Sequence, residues 1–178
     1  MKRKVKVDMQ ELVIVLDMNF PEQRNFLDLE TGKIVSYTDE FARELEDIYE
    51  EIYDEAGNRT ITLEAYLEGR DDPDWRKDVL LTADRVEMGY GTRYIRVERD
   101  DAYGDYNDMQ CFIRHVENSR LRDQLWNAIQ GRGAFRRFNG LLARHPAVEE
   151  QWYDFKEERL QRRVRDWLAY HDIEPIDS

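Results

Sequence analysis

Apolar residues in this chain recur mostly at helical spacing, in short segments separated by glycine and proline, with an early interval that alternates instead. Val5 and Val7 alternate with lysines at the start. Asp8 then stands where an N-cap would, with Glu11 three residues on, the spacing of a capping box. Leu12, Val13, Leu16 and Phe20 fit a short amphipathic helix closed by Pro21; Val13, Ile14 and Val15 are β-formers, so a strand is the alternative. Phe26, Leu27 and Leu29, then Glu30-Thr31-Gly32-Lys33, then Ile34, Val35 and Tyr37 predict a hairpin with Gly32 supplying a positive φ. Thr38 is read as the cap of a helix with Asp39 and Glu40 in its first turn. Phe41, Leu45, Ile48, Tyr49, Ile52 and Tyr53 form its apolar face, and Gly57 is expected to stop it. Its other face, with Glu44, Asp47, Glu51, Asp54 and Glu55, reads as solvated surface or as a dock for a basic partner.

Ile61, Leu63, Tyr66 and Leu67 suit a short helix capped by Thr62, and Pro73 is expected to open another with Trp75, Val79, Leu80, Ala83 and Val86 on one face. Gly89 and Gly91 break that helix, and Tyr94, Ile95 and Val97 predict a strand that joins the hairpin in a small antiparallel sheet. Everything after Asp101 reads as helical. One helix carries Tyr106, Met109, Cys111 or Phe112, Ile113 and Val116; a second, capped by Asn118 or Ser119, carries Leu121, Leu125, Trp126 and Ile129. A third runs from Ala134 to Ala143, and a long last one opens at Pro146 and stops before Pro175. Between the second and third lies Gly131-Arg132-Gly133-Ala134-Phe135-Arg136-Arg137-Phe138, read as a tight helix–helix corner. Gly131 would end one helix in the left-handed conformation and Gly133 would cap the next. Phe135 and Phe138 are expected to face inward together. Arg136 and Arg137 would then lie in a first turn, where the helix dipole opposes them, so they call for an acidic partner, internal or external.

Composition narrows the class. Four Trp, ten Tyr and seven Phe argue for a packed core despite 37% charged residues. The single cysteine, Cys111, allows no intrachain disulfide and no thiolate metal cage, which fits a cytoplasmic protein. No apolar run is long enough for a signal core or a membrane span. The net charge of −12 opposes nonspecific binding to nucleic acid by the whole molecule. It is unevenly spread: residues 1–111 carry 15 Lys and Arg against 28 Asp and Glu, and residues 112–170 carry 12 against 8.

Catalytic chemistry has little to build on. His115, His145 and His171 lack ligand spacing, and Cys111 among Met109, Phe112 and Ile113 reads as a buried, inert thiol. Asp100, Asp101, Asp105 and Asp108 cluster near Gly104 but miss the EF-hand pattern. The glycine-arginine block lacks the Lys-Ser/Thr of a P-loop. No cofactor and no metal are expected. The candidate anion- or partner-binding residues are Arg132, Arg136 and Arg137 of the corner and Arg159, Arg162 and Arg163 of the last helix. On that helix Trp152, Tyr153, Phe155 and Trp167 interleave with the arginines, although Trp152, Phe155, Val164, Trp167 and Leu168 have the periodicity of a core.

Several of these blocks occur together in order: Tyr94-Ile95-Arg96-Val97, Asp108-Met109 with Phe112-Ile113, Leu121-Arg122, the block from Gly131 to Phe138, Trp152-Tyr153-Asp154-Phe155 with Arg159 and Arg163, and Trp167-Leu168. This order is similar to an uncharacterised protein family of bacteria, most closely from residue 94 onward and least over 44–72; the Leu27–Gly32 hairpin also matches. The resemblance implies one recurring fold and carries no activity with it.

The sequence therefore predicts an α+β fold: a single domain over residues 1–178, with a small antiparallel sheet and a C-terminal helical subdomain. A subdivision into an acidic part, 1–90, and a basic helical part, 91–178, is the variant of that reading. The function expected first is a non-catalytic binding or regulatory module for a protein partner or a second copy of the chain, with no membrane. Binding of nucleic acid or another polyanion through the C-terminal arginines is the second reading, and a phosphate-ester enzyme the third.

Overall fold

A computed structural model describes residues 2–17, 21–98 and 103–176. In chain order the elements are β1 (Arg3–Val5), α1 (Met9–Asp17), β2 (Gln23–Asp28), β3 (Ile34–Thr38), α2 (Asp39–Ile52), α3 (Leu63–Glu68), α4 (Asp74–Gly89), β4 (Tyr94–Arg96), α5 (Tyr103–His115), α6 (Ser119–Ala128), α7 (Ala134–Leu142), α8 (Pro146–Tyr170) and β5 (Ile173–Pro175). The class is α+β. The chain divides into two compact units, Met1–Arg99 with Asp172–Ser178, and Asp100–His171. No helix among the described residues is long and apolar enough to cross a membrane.

In the first unit, Asp8 caps α1 as its sequence position demands, its Oδ1 accepting from the N–H groups of Gln10 (2.9 Å) and Glu11 (3.0 Å). The helix buries Leu12 and Leu16, so the strand alternative falls; Phe20 lies outside the described residues. The sheet has the order β3-β2-β4, antiparallel throughout, with Phe26 opposite Val35 on one side and Arg96 on the other. Gly32, at φ +71°, turns the hairpin, and a side chain there would land on the Lys6 carbonyl. Glycine is therefore required twice over, by backbone conformation and by space.

The α2, α3 and α4 helices supply Leu45, Ile48, Ile52, Leu63, Leu67, Leu80, Ala83 and Val86 to one core with Phe26, Tyr37 and Tyr94. Two expectations shift here. Thr38 occupies the N-cap of α2, but its hydroxyl makes no capping bond. The helix ends at Ile52 rather than at Gly57, because Asp54 organises the next turn by accepting from the N–H groups of Ala56 and Asn58. The acidic face of α2 is largely spoken for: Glu44 takes Arg70 (2.9 Å) and Arg76 (2.5 Å), and Glu51 accepts from the Tyr66 hydroxyl. Pro73 stands at the N-cap of α4, one place before the first turn, and Trp75 is exposed rather than on the buried face.

A second sheet is one the sequence pattern does not announce. β1 and β5 pair in parallel, Arg3 with Ile173 and Val5 with Pro175. The alternation of Val5 and Val7 with lysines marks only the first strand; its three-residue partner carries no such pattern and stands at the other end of the chain.

The second unit is helical. Met109, Phe112, Ile113 and Val116 of α5 and its end, Leu121 and Leu125 of α6, Ile129, Ala134, Phe138 and Leu142 around α7, and Trp152 of α8 form its core. Phe112, Phe138 and Trp152 meet edge to face, with ring centroids 5.0–6.4 Å apart, the geometry that aromatic quadrupoles favour. Asn118 caps α6 by accepting from the Leu121 N–H at 3.0 Å.

Candidate functional site

The six arginines singled out from the sequence all lie in the helical unit, and the structure sorts them into two sets. Gly131 and Gly133 both adopt the left-handed conformation, at φ +73° and +76°, and Gly133 is the N-cap of α7, so the tight corner forms as expected. Phe138 is fully buried there, but Phe135 is not: it is 47% exposed. A residue three places earlier on a nine-residue helix shares the inward stripe only if a neighbouring element covers that flank, and here none does.

Arg137 turns back across the corner. Its Nε donates to the Ala128 carbonyl (2.8 Å), its Nη2 to the Gln130 carbonyl (2.5 Å) and its Nη1 to the Arg132 carbonyl. These oxygens stand at and just beyond the C-terminal end of α6, where unpaired carbonyls carry the negative end of the helix dipole. The partner that the first-turn arginine needs is thus a set of carbonyls rather than a carboxylate. Arg159 and Arg163 are also committed. Asp108, 1% exposed, accepts from Arg159 Nε at 2.9 Å and from Arg163 Nη2 at 2.6 Å, which ties α8 to α5. Gly104 lies against the Arg163 guanidinium, where a side chain would come within 3.2 Å of Nη2. Among the described residues the guanidinium groups of Arg132, Arg136 and Arg162 have no hydrogen-bond or ion-pair partner.

A cleft of about 230 Å³ opens between α5 and α8, lined by Cys111, His115, Phe155, Glu158, Arg159 and Arg162. Two of the six predicted arginines therefore share a concavity with residues given no site role from the sequence. Cys111 and His115 sit four apart, one above the other on α5, as Glu158 and Arg162 do on α8. Those spacings are visible in the sequence; that the two faces oppose each other is not. Cys111 is half-buried and borders the cleft, so the expectation of a buried thiol is corrected. The His115 Nδ1 lies 2.7 Å from the Cys111 carbonyl. A carbonyl only accepts, so Nδ1 carries a proton and, in the neutral ring, Nε2 keeps its lone pair.

Asp100 and Asp101 of the acidic cluster lie outside the described residues, and among those described no three His, Cys, Asp or Glu side chains converge as metal ligands. Trp152 is buried, which removes it as a stacking platform, whereas Tyr153 is 60% exposed.

Residues 81–178 match the uncharacterised protein family UPF0158. The chain belongs to that family. The matched region contains the corner, the Asp108 clamp and the cleft, while the hairpin around Gly32 precedes it. A UPF0158 protein from Pseudomonas aeruginosa is 39% identical over 67 residues, covering 38% of this chain and 44% of the relative, so the aligned part spans less than half of that protein. No solved structure matches.

Proposed function

We propose that this chain is a non-catalytic binding module of the cytoplasm that recognises a protein partner through the α6–α7 corner. The observation that carries the reading is Phe135, held out in solvent between Arg132 and Arg136, two arginines whose guanidinium groups have no internal partner among the described residues. Aromatic and arginine side chains are the types that anchor protein interfaces, because they bury much area and hydrogen-bond at low entropic cost. The corner beneath is held by Phe138 in the core and by Arg137 on the α6 carbonyls, so little ordering remains to be paid on binding. The complementary surface is acidic with an apolar recess, on another protein or on a second copy of this acidic chain.

Photo-crosslinking from position 135 in intact cells tests this. The expected result is a discrete protein adduct, either self or foreign, that disappears with Arg132→Glu and Arg136→Glu together. Crosslinks confined to nucleic acid would overturn the protein reading in favour of a polyanion site, and no adduct at all would overturn the corner as a contact surface.

A further inference from the structure

The cleft between α5 and α8 is separate from that corner, and its lining has a definite charge pattern. Arg159 and Arg163 share the single carboxylate of Asp108, so that group keeps one positive charge. The charged side chains of the cleft wall with no ion-pair partner among the described residues are one cation, Arg162, and one anion, Glu158, both on α8 and four residues apart. They form no ion pair with each other, although that spacing brings side chains within reach. Opposite them stand the half-buried Cys111 and the His115 ring, and Phe155 supplies an apolar wall. The Arg159 guanidinium lies 5.8 Å over the Phe155 ring, with Nε spent on Asp108 and its terminal nitrogens without a hydrogen bond among the described residues.

We propose that this cleft binds a small zwitterion of the α-amino-acid class. The ligand carboxylate would take Arg162 and the terminal nitrogens of Arg159, since guanidinium donors match the planar carboxylate fork. The ammonium would take Glu158, and the apolar side chain would lie on Phe155. A dianion such as phosphate meets repulsion from Glu158, and a simple cation meets it from the arginines. At about 230 Å³ the cleft falls below the ~300–1,000 Å³ of sites for drug-sized molecules and suits a ligand of amino-acid size.

Cys111, the only cysteine of the chain, lines the cleft and reports on its occupancy. The rate of its alkylation by iodoacetamide is measured on the full chain by mass spectrometry, with each of the proteinogenic amino acids added at about 10 mM. For a millimolar site, one or more of them should slow alkylation about tenfold. The analogue of the best one lacking its ammonium, the analogue lacking its carboxylate, and inorganic phosphate should each slow it less than about twofold. Arg162→Gln and Glu158→Gln, both at exposed positions, should abolish protection while leaving the circular-dichroism spectrum unchanged. Protection by none of the amino acids, equal protection by phosphate or by the carboxylate alone, or protection that survives both substitutions would each overturn the assignment.

Discussion

Arg137 shows how one side chain can reverse what its position in the sequence implies. The first turn of α7 is an unfavourable place for a cation, yet its guanidinium reaches the C-terminal carbonyls of α6, where a cation is favoured. Arg136, its neighbour, has no partner among the described residues. Arg137→Ala should therefore cost about 1–2 kcal/mol in urea denaturation, because it leaves charge-assisted bonds unmade, whereas Arg136→Ala should stay within about 0.5 kcal/mol. Equal effects would mean that Arg137 does not cap α6. Asp28 carries a comparable role in the first unit. Burial acts on its carboxyl upward, but the Arg93 guanidinium on both oxygens (3.0 and 2.8 Å), the Glu30 N–H and the Thr31 hydroxyl outweigh it and hold the group below its ordinary 3.8. The folded chain thus binds this proton less readily than the unfolded chain does. The stabilisation is complete above the unfolded value and is lost as pH falls through the folded one. The advantage of the native chain over Asp28→Asn in urea midpoint should hold from about pH 7 down to about pH 5 and shrink toward about pH 3. A constant difference across that range would remove the Asp28–Arg93 pair from the acid response.

At the scale of elements, what was legible depended on how local each signal is. The hairpin, the strand at Tyr94, the caps at Asp8, Thr62 and Asn118 and the glycine corner are set by residues a few positions apart, and each forms where the sequence predicts. The β1–β5 pair depends on contacts between the two ends of the chain: Val5 and Val7 alternate at the first strand, but the three-residue β5 leaves no periodic trace. The same distinction governs the candidate site. The i,i+4 spacing of Cys111 with His115 and of Glu158 with Arg162 can be read along the chain, but that α5 and α8 face each other across a cleft follows from the packing of Phe112, Phe138 and Trp152. Phe135 marks where pattern fails: helical periodicity gives it the same stripe as Phe138, and only the absence of a covering element distinguishes them. Asp108, read from sequence as part of a loose acidic cluster, becomes the buried anchor of two arginines once α8 lies alongside α5.

For the molecule as a whole, the balance between local arginines and net charge decides how it meets polyanions. The chain carries −12, and the helical residues Asp100–His171 contain 12 Lys and Arg against 12 Asp and Glu, so even the arginine-rich unit is formally neutral. Of the six arginines that the sequence offers for phosphate contacts, Arg137, Arg159 and Arg163 are held by carbonyls and by Asp108, leaving Arg132, Arg136 and Arg162. Three phosphate contacts release few counterions and give a slope of log affinity against log salt of about −2.7 on duplex DNA. Long-range repulsion from the net charge works against even these at low ionic strength, where screening is weakest. The chain should therefore cause no mobility shift of a duplex oligonucleotide at about 150 mM salt, and any weak binding at lower salt should show a slope no steeper than about −3. A slope of about −5 or steeper would draw on further cations, either other exposed arginines of the helical unit or the committed ones released from their internal partners. The second case leaves Asp108 buried without a counter-charge, so it comes with loss of the α5–α8 clamp and is told from the first by a fall in helix content on adding the oligonucleotide.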